Sequence, residues 1–176
     1  MSGTRTSKPD TVVGIDPDCE RSGVAILDVA DRRLDVCAKT FPELLDYLRQ
    51  LAAAGANVKI VVEAGWMVAK SNYHPAQGLR AEKIAKDVGA NHETGRKIIE
   101  MCRHYGLQAV AVHPLNKCWR GRNGKITAKE LEIVTGYGRR TNQDGRDAAL
   151  LAWVHAGLPI RLGEWNKNNI IPQNSV

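Results

Sequence analysis

The chain has 176 residues, of which 43% are hydrophobic and 25% are charged, so it can bury a core without disulfides or metal, and a mainly disordered chain is excluded. No run approaches the roughly 18 consecutive apolar residues of a membrane span, and the polar first ten residues lack the apolar core of a secretory signal. A net charge of +6 is compatible with an anionic partner.

Three short apolar runs open the chain and predict strands at residues 11–16, 22–28 and 34–40, arranged as an antiparallel meander. Leucines spaced as on one helical face predict a helix at residues 41–54, and a β-branched run predicts a fourth strand at residues 58–63. The later elements are, in order, a loop at 64–76, a helix at 77–105 interrupted near 89–91, a strand at 108–113, and helices at 127–134 and 144–156.

This order of elements predicts an α/β fold with a mixed five-stranded sheet, which begins as an antiparallel meander, continues as parallel strands and is flanked by helices. We expect a flexible lead at residues 1–10, a single domain at residues 11–157 and an extended tail at residues 158–176. The four cysteines match neither a zinc spacing nor a disulfide framework. We therefore expect reduced thiols and a cytoplasmic protein.

Positive charge is concentrated in one segment. Between residues 117 and 140, seven basic and two acidic side chains give +5 of the net charge of +6. Glycines and two aromatic residues, Trp119 and Tyr137, are interspersed. A mobile basic segment of this kind can follow a nucleic-acid backbone, although a solvated basic surface explains the charge alone equally well. The basic residues are Lys117, Arg120, Arg122, Lys125, Lys129, Arg139 and Arg140.

Four acidic residues occupy positions where a site can form. Asp16 and Glu63 each end a predicted strand, and ligands of open α/β sheets bind beyond the strand ends. Asp144 and Asp147 are three residues apart and so share one face at the start of the last predicted helix. Four carboxylates repel one another, and a pair of divalent cations is the usual reason for gathering them. Two hard ions about 4 Å apart can activate water and stabilise the leaving oxygen in phosphodiester cleavage.

Each acid also has a simpler explanation. Asp144 can cap the last helix and Asp147 can complement its dipole, which is the better explanation of this pair taken alone. Asp16 can be an ordinary turn residue before a proline. Glu63 is harder to explain in this way, because glutamate is a poor strand residue. The simple explanations together require four coincidences, so the joint pattern favours a site.

These residues resemble the motifs of the RuvC-type Holliday junction resolvases. The segment Val13-Gly-Ile-Asp-Pro17 is similar to the opening motif of that family, Val61-Val-Glu63 to the segment with its second acid, and Asp144-Gly-Arg-Asp147 to its C-terminal aspartate pair. The resemblance implies a ribonuclease H-like fold, a homodimer, and nicking of four-way DNA junctions that depends on Mg²⁺ or Mn²⁺. It also implies two metal ions in each active site, bound by Asp16, Glu63, Asp144 and Asp147.

Three further residues agree with the resemblance. Trp66 lies three residues after Glu63, where the family carries an aromatic residue that stacks on a junction base, and such stacking is worth about 1–3 kcal/mol. Lys117 and Lys129 are similar to family lysines near the scissile phosphate, where they balance transition-state charge. The alternatives are a core or interface role for Trp66 and general backbone contacts for the lysines. Trp66 and the seven basic residues form the candidate DNA-binding set.

The sequence departs from the family pattern in several places. Asp18 stands where the family usually has glycine, the loop at 64–76 is long, and the tail at 158–176 is unexplained. These departures bear on junction preference and dimer geometry more than on the metal site, and we expect a divergent member of bacterial or phage origin. The histidines show no metal-ligand spacing, and residues 91–96, which include Asn91 and His92, are interpreted as the cap and polar face of a helix.

The main hypothesis is a structure-selective DNA endonuclease that uses two metal ions and leaves 5′-phosphate and 3′-hydroxyl ends. The same fold could instead act on other branched DNA or on RNA–DNA hybrids. From other classes, a junction-binding module with a decayed metal site is disfavoured by the four carboxylates, and an actin-like ATPase fragment by the short chain. No glycine-rich loop has the spacing of a nucleotide-binding P-loop.

Overall fold

The computed structural model describes residues 8–68 and 79–160 of the chain. These residues form five strands and four helices. The strands are β1 Thr11–Asp16, β2 Ser22–Asp28, β3 Arg33–Lys39, β4 Val58–Glu63 and β5 Gln108–Val112. The helices are α1 Phe41–Ala53, α2 Leu79–His104, α3 Ala128–Thr135 and α4 Gln143–His155, with short 3-10 turns at Gly65–Met67 and Arg122–Gly124.

The strands form one sheet in the order β3-β2-β1-β4-β5. β2 pairs antiparallel with β1 and β3, whereas β4 pairs parallel with β1 and β5. The expected α/β fold with a mixed five-stranded sheet, flanked by helices, is confirmed. Because β1 and β4 are parallel neighbours, with Ile15 opposite Val62, their last residues, Asp16 and Glu63, lie at the same edge of the sheet.

Helices cover both faces of the sheet. On one face, α4 packs against β1 and β2, where Val12 and Leu27 are fully buried. On the other face, α1 and α2 pack against the sheet, and Val13 meets a cluster that includes Ile98 of α2. Side chains alternate along a strand, so Asp16 shares the face of Val12 and points towards the side covered by α4.

The local sequence explains where these elements begin and end. β1 and β4 are rich in β-branched residues and are buried on both faces, as is typical of central parallel strands. α1 has proline in its first turn, and Gly55 follows its end with a φ of 62°, a left-handed conformation that favours glycine. Where both ends of an element are described, the predicted boundaries agree with the structure within two residues.

α2 differs from the prediction in one respect. It is continuous from Leu79 to His104, so the expected interruption near residues 89–91 is wrong. Gly89 does not adopt a left-handed conformation, and a helix tolerates an internal glycine at a cost of about 1 kcal/mol. The expected cap at Asn91 is wrong as well, because no helix begins there. The Asn91 side chain instead bonds to the loop between β1 and β2.

Parts of four expectations lie outside the described residues, namely positions 1–7 of the lead, 69–76 of the loop, 77–78 of the helix predicted at 77–105, and 161–176 of the tail. The chain directly after α4 packs against that helix, because Leu158 is buried and Trp153 Nε1 donates to the Pro159 carbonyl oxygen at 3.0 Å. The four cysteines, all within the described residues, form no disulfide. No helix in residues 8–68 and 79–160 has the length and apolar character needed to cross a membrane.

Candidate active site

Four acidic side chains meet at one edge of the sheet. Asp16 ends β1 and Glu63 ends the neighbouring β4, while Asp144 and Asp147 lie at the start of α4, which packs on β1 and β2. The other three carboxylates are close enough to Asp16 for their charges to raise its pKa. The sequence predicted the position of each acid within its element, and the structure shows that the four positions converge.

Two glycines allow α4 to lie this close to the sheet. A Cβ atom at Gly14 of β1 would overlap the carbonyl oxygen of Ala148, and a Cβ atom at Gly23 of β2 would overlap the carbonyl oxygen of Asp144. The absence of side chains at these two positions lets the start of α4 approach the ends of β1 and β2. The aspartates of α4 are thereby placed beside Asp16.

Asn142 caps α4. Its side-chain oxygen accepts a hydrogen bond from the Gly145 backbone N–H at 2.9 Å. The capping role considered for Asp144 is therefore wrong, because Asp144 is already inside the first turn. Its carboxylate is not needed to complete the helix.

Burial and mutual repulsion raise the pKa of Asp16, Glu63 and Asp144. Desolvation is the largest cause for Asp16, whose pKa lies well above its usual value, and the charges of the other three acids add to it. Desolvation, followed by the charge of Asp147, raises the pKa of Glu63 to about 7. The pKa of Asp144 is also raised, mainly by desolvation. Ionising the whole cluster is therefore unfavourable unless cations lie beside it.

Asp147 is held through both carboxylate oxygens. Gln143 Nε2 donates to its Oδ1 at 2.7 Å, and Lys125 Nζ donates to its Oδ2 at 2.6 Å. Arg146 extends this network, because one guanidinium nitrogen donates to Gln143 Oε1 at 2.7 Å and its Nε donates to the Ile126 carbonyl oxygen at 3.2 Å. Gln143 and Arg146 are not among the site residues predicted from the sequence. The spacing of Gln143 and Asp147, four residues on a helix, was the available signal for the first of them.

The three candidate lysines are placed differently. Lys117 and Lys125 line a small cavity of about 50 Å³ that Glu63 also borders, and both ammonium groups counteract the rise in the pKa of Glu63. Lys129 lies at the start of α3, its side chain is 79% exposed, and its Nζ is 3.7 Å from the Glu132 carboxylate. The structure thus brings Lys117 and Lys125 to the carboxylates and leaves Lys129 on the surface.

The remaining basic residues of the segment are exposed arginines. Arg139 lies 4.0 Å from Asp35 of β3, which is an edge strand of the sheet on the side away from β4. The basic segment therefore extends from the carboxylates to the far side of the sheet. Its exposed arginines are Arg120, Arg122, Arg139 and Arg140.

The aromatic residues of the basic segment belong to the core. Trp119 and Tyr137 are only 6% and 8% exposed. The Trp119 backbone N–H donates to the Gly124 carbonyl oxygen at 3.0 Å, and the buried carboxylate of Glu130 accepts from the Arg120 backbone N–H at 3.1 Å. A mobile segment that displays aromatic side chains is therefore the wrong description of residues 119–137, because these contacts tie it to the domain.

Trp66 borders a second cavity, of about 170 Å³, beside the carboxylates. α2 holds the indole in place, since the Arg96 guanidinium lies 5.2 Å from the ring centroid and the His92 ring meets it edge-on at 6.1 Å. A Cβ atom at Gly95 would stand 2.6 Å from the ring. The cavity is also lined by Asp16, Glu63, Val88 and Asn91.

A side chain of α2 also holds the loop that follows Asp16. Asn91 Nδ2 donates to Asp18 Oδ2 at 3.1 Å, and Asn91 Oδ1 accepts from the Cys19 N–H at 2.9 Å. Asp18 Oδ1 in turn accepts from the Glu20 N–H at 2.8 Å. The residue that departs from the family pattern thus has a structural role, because Asp18 links the loop to α2.

The chemistry of the acids fits hard divalent ions. Carboxylate oxygens are the ligands that Mg²⁺ and Mn²⁺ prefer, and clustered buried acids are stabilised by cations. In the part of the chain that the structure describes, no three Asp, Glu, His or Cys side chains are already arranged as a ligand group. The side chains that would hold such ions are Asp16, Glu63, Asp144 and Asp147.

No protein-family model matches the chain, and no curated protein is similar enough to match it. Among solved structures, the chain is similar to Thermus thermophilus RuvC in complex with a Holliday junction substrate, with 15% identity, a TM-score of 0.46, and coverage of 83% of this chain and 92% of that one. A second structure of T. thermophilus RuvC shows the same identity and TM-score, with coverage of 86% and 99%. At 15% identity this likeness concerns the course of the chain and assigns no role to any residue.

Proposed function

We propose that this protein is a metal-dependent endonuclease that cuts branched DNA, with the four-way junction as its substrate. The observation that carries the proposal is the convergence of four carboxylates from β1, β4 and α4 beside two lysines. Hard cations held by such acids are suited to phosphodiester hydrolysis, and neighbouring ammonium groups are suited to hold the phosphate. The resemblance of the same residues to junction resolvase motifs supports the choice of substrate.

In this proposal Asp16, Glu63, Asp144 and Asp147 would hold two Mg²⁺ ions, and bound ions would supply Lewis-acid chemistry for activating water and stabilising the leaving oxygen. The water oxygen attacks phosphorus in line, the bond from phosphorus to the 3′ oxygen breaks, and that oxygen takes up a proton. The products carry a 5′-phosphate and a 3′-hydroxyl. Mn²⁺ can replace Mg²⁺, because it accepts the same oxygen ligands.

The surrounding side chains position the substrate. Lys117 and Lys125, which line the cavity at Glu63, donate to the non-bridging phosphate oxygens and balance transition-state charge. Trp66 offers its indole to a base near the cut, where the junction is open and bases can unstack. The more distant basic side chains contact the DNA backbone, namely Arg120, Arg122, Lys129, Arg139 and Arg140.

A homodimer is part of the proposal. Resolving a four-way junction requires two symmetrically placed cuts, and the described residues of one chain contribute one such cluster of carboxylates. Two copies related by a twofold axis would present two such clusters, in keeping with the symmetry of the junction.

The test is cleavage of a synthetic mobile four-way junction by the purified full chain with Mg²⁺, Mn²⁺ or a chelator. We expect paired symmetric nicks with either ion and none in chelator. Asp16→Asn, Asp144→Asn and Glu63→Gln should each reduce the rate by about 100-fold or more, a loss typical of removing a charged catalytic group. Asp46→Asn, on the exposed surface of α1, is the matched control and should cut as the wild type does. Full cleavage by the cluster variants would contradict the proposal.

A substrate panel tests the choice of the junction. A flap, a bubble, an RNA–DNA hybrid and a linear duplex are compared with the junction at equal concentration. Preferential cutting of the junction supports the proposal. Faster cutting of another member would make the protein a nuclease for that structure, and tight junction binding without nicks would make it a binding module.

A further inference from the structure

We propose that Lys125 competes with the second metal ion for Asp147. In the metal-free protein the Lys125 ammonium group is paired with the Asp147 carboxylate, and it must leave before that ion binds. The inference rests on the proposed function only in taking a divalent cation as the competing ligand. It concerns the order and strength of ion binding in the absence of DNA.

The ion pair between Lys125 and Asp147 differs from the other ion pairs of the described residues. Its two side chains are 35% and 15% exposed, and its N–O distance is 2.6 Å. In every other ion pair within residues 8–68 and 79–160, each side chain is at least 50% exposed. A partly buried ion pair is screened less by water and salt than an exposed one, so the attraction between this ammonium group and the carboxylate is stronger.

The loop that carries Lys125 is fixed on both sides of it. Before Lys125, Gly124 adopts a φ of 72°, and the Lys125 carbonyl oxygen accepts from the Gly121 N–H at 3.0 Å. After Lys125, Ile126 is 1% exposed and its carbonyl oxygen accepts from Arg146 of α4 at 3.2 Å. Because α4 also carries Asp147, the ammonium group and its carboxylate are anchored to the same helix. Only the Lys125 side chain needs to move to release Asp147.

Glu63 lines two cavities, and, among the described residues, lysine side chains border only one of them. Asp16 and Trp66 line the cavity on one side, whereas Asp147 and Lys125 line the cavity on the other. An ion held by Asp16 and Glu63 would lie in the cavity that Lys125 does not border. An ion held by Glu63 and Asp147 would lie beside the ammonium group and be repelled by it. We therefore expect the first ion on the Asp16 side and a weaker second ion on the Asp147 side.

The test is titration of the DNA-free full chain with Mn²⁺ at pH 8, with binding followed by calorimetry and free Mn²⁺ by electron paramagnetic resonance. In the wild type, the second ion should bind at least about tenfold more weakly than the first. Lys125→Met should tighten the second ion by about tenfold or more, whereas Lys125→Arg, which keeps the charge, should behave as the wild type does. Lys97→Met removes an exposed lysine of α2 and is the matched control.

Unchanged or weaker binding of the second ion in Lys125→Met would overturn the inference, as would an absence of Mn²⁺ binding in all proteins. If Lys125→Met does not fold, NMR of the lysine ammonium groups in the wild type gives the answer. A hydrogen-bonded ammonium signal in chelator should disappear when Mg²⁺ exceeds one equivalent, and its persistence at saturation would overturn the inference.

The outcome is independent of junction cleavage. A protein that cuts no junction, but in which Lys125→Met tightens the second ion, loses the proposed function and retains this inference. A protein that cuts junctions, but in which Lys125→Met binds Mn²⁺ as the wild type does, loses only this inference.

Discussion

Gly14 of β1 lies directly beneath Ala148 of α4, so that a Cβ atom at Gly14 would overlap the Ala148 carbonyl oxygen. The contact brings the backbone of a buried strand against the backbone of a buried helix. Asp16 lies two residues after Gly14, and Asp147 lies one residue before Ala148. The spacing between the two aspartates therefore depends on this contact.

Gly14→Ala should separate α4 from β1. The added methyl group has no space, and overpacking of this kind costs about 1–3 kcal/mol of unfolding free energy. We expect lower stability in chemical denaturation and weaker Mn²⁺ binding by the folded protein, because Asp144 and Asp147 move with α4. Wild-type stability together with wild-type Mn²⁺ binding would contradict the account of how the site is assembled.

Gly95→Ala should displace Trp66. The new Cβ atom would lie 2.6 Å from the indole and 3.1 Å from Pro17, so the ring must shift out of its position beside the carboxylates. Since base stacking is worth about 1–3 kcal/mol, we expect junction affinity in chelator to fall by roughly fivefold or more.

Gly89→Ala is the control in the same helix. A Cβ atom at Gly89 meets nothing within 4 Å, so alanine there should leave junction affinity unchanged and stabilise α2 by about 0.5–1 kcal/mol. Equal junction affinities for Gly95→Ala and Gly89→Ala would show that the position of Trp66 does not matter for binding.

The stability of the metal-free protein should depend on Glu63 and pH. Burial raises the pKa of Glu63 from 4.5 to about 7, so the folded state holds this proton more tightly than the unfolded state does. Ionisation of Glu63 therefore lowers the free energy of unfolding. This loss is absent below pH 4.5, grows as the pH rises, and is complete above about pH 7. Glu63→Gln removes the ionisation. In chelator it should raise the melting temperature at pH 8 by about 4 °C or more and leave it almost unchanged at pH 4.5.

Two comparisons complete this experiment. Glu82→Gln, on the exposed part of α2, should leave the melting temperature unchanged at both pH values. Mg²⁺ should stabilise the wild type at pH 8 more than it stabilises Glu63→Gln, because the variant lacks one ligand. A Glu63→Gln protein that is less stable than the wild type at pH 8 in chelator would show that Glu63 is not destabilising when ionised.

Lys117→Met and Lys129→Met should have different effects on junction cleavage. Lys117 borders the cavity at Glu63, whereas Lys129 is 79% exposed and lies near Glu132. We expect Lys117→Met to lower kcat by about 100-fold, as for loss of a transition-state contact, and Lys129→Met to raise KM several-fold with little change in kcat. Steady-state kinetics measures both values. A larger loss of kcat in Lys129→Met would indicate that Lys129 moves to the phosphate when DNA binds.

The strands and the acids at their ends could be predicted from the sequence, because buried β-branched runs and strand ends have local signals. The convergence of the acids could not, since it depends on how α4 packs on the sheet. Gly14 and Gly23 were the signal, and a glycine within a strand is compatible with either a bulge or a close approach. The interruption predicted in α2 failed for a related reason, because the contacts of Asn91 and Gly95 with the rest of the fold outweigh local propensity.

The choice of Lys125 among seven basic residues also lay outside the reach of sequence patterns. It lies in an irregular loop, where periodicity gives no direction for a side chain. Its position depends on the turn at Gly121–Gly124 and on Arg146, which is distant in sequence. The same loop buries Trp119. This aromatic residue, which the sequence placed in a candidate nucleic-acid segment, packs in the core instead.

α4 serves the core and the candidate site at once. Its residues from Ala148 to Val154 are all at most 5% exposed, while its first turns carry Asp144 and Asp147. In a random mutagenesis screen for loss of cleavage, inactive clones should therefore accumulate along this helix well beyond its acidic residues. Many of these clones should still express as folded protein, since a small rotation or displacement of α4 can separate the aspartates before it unfolds the domain.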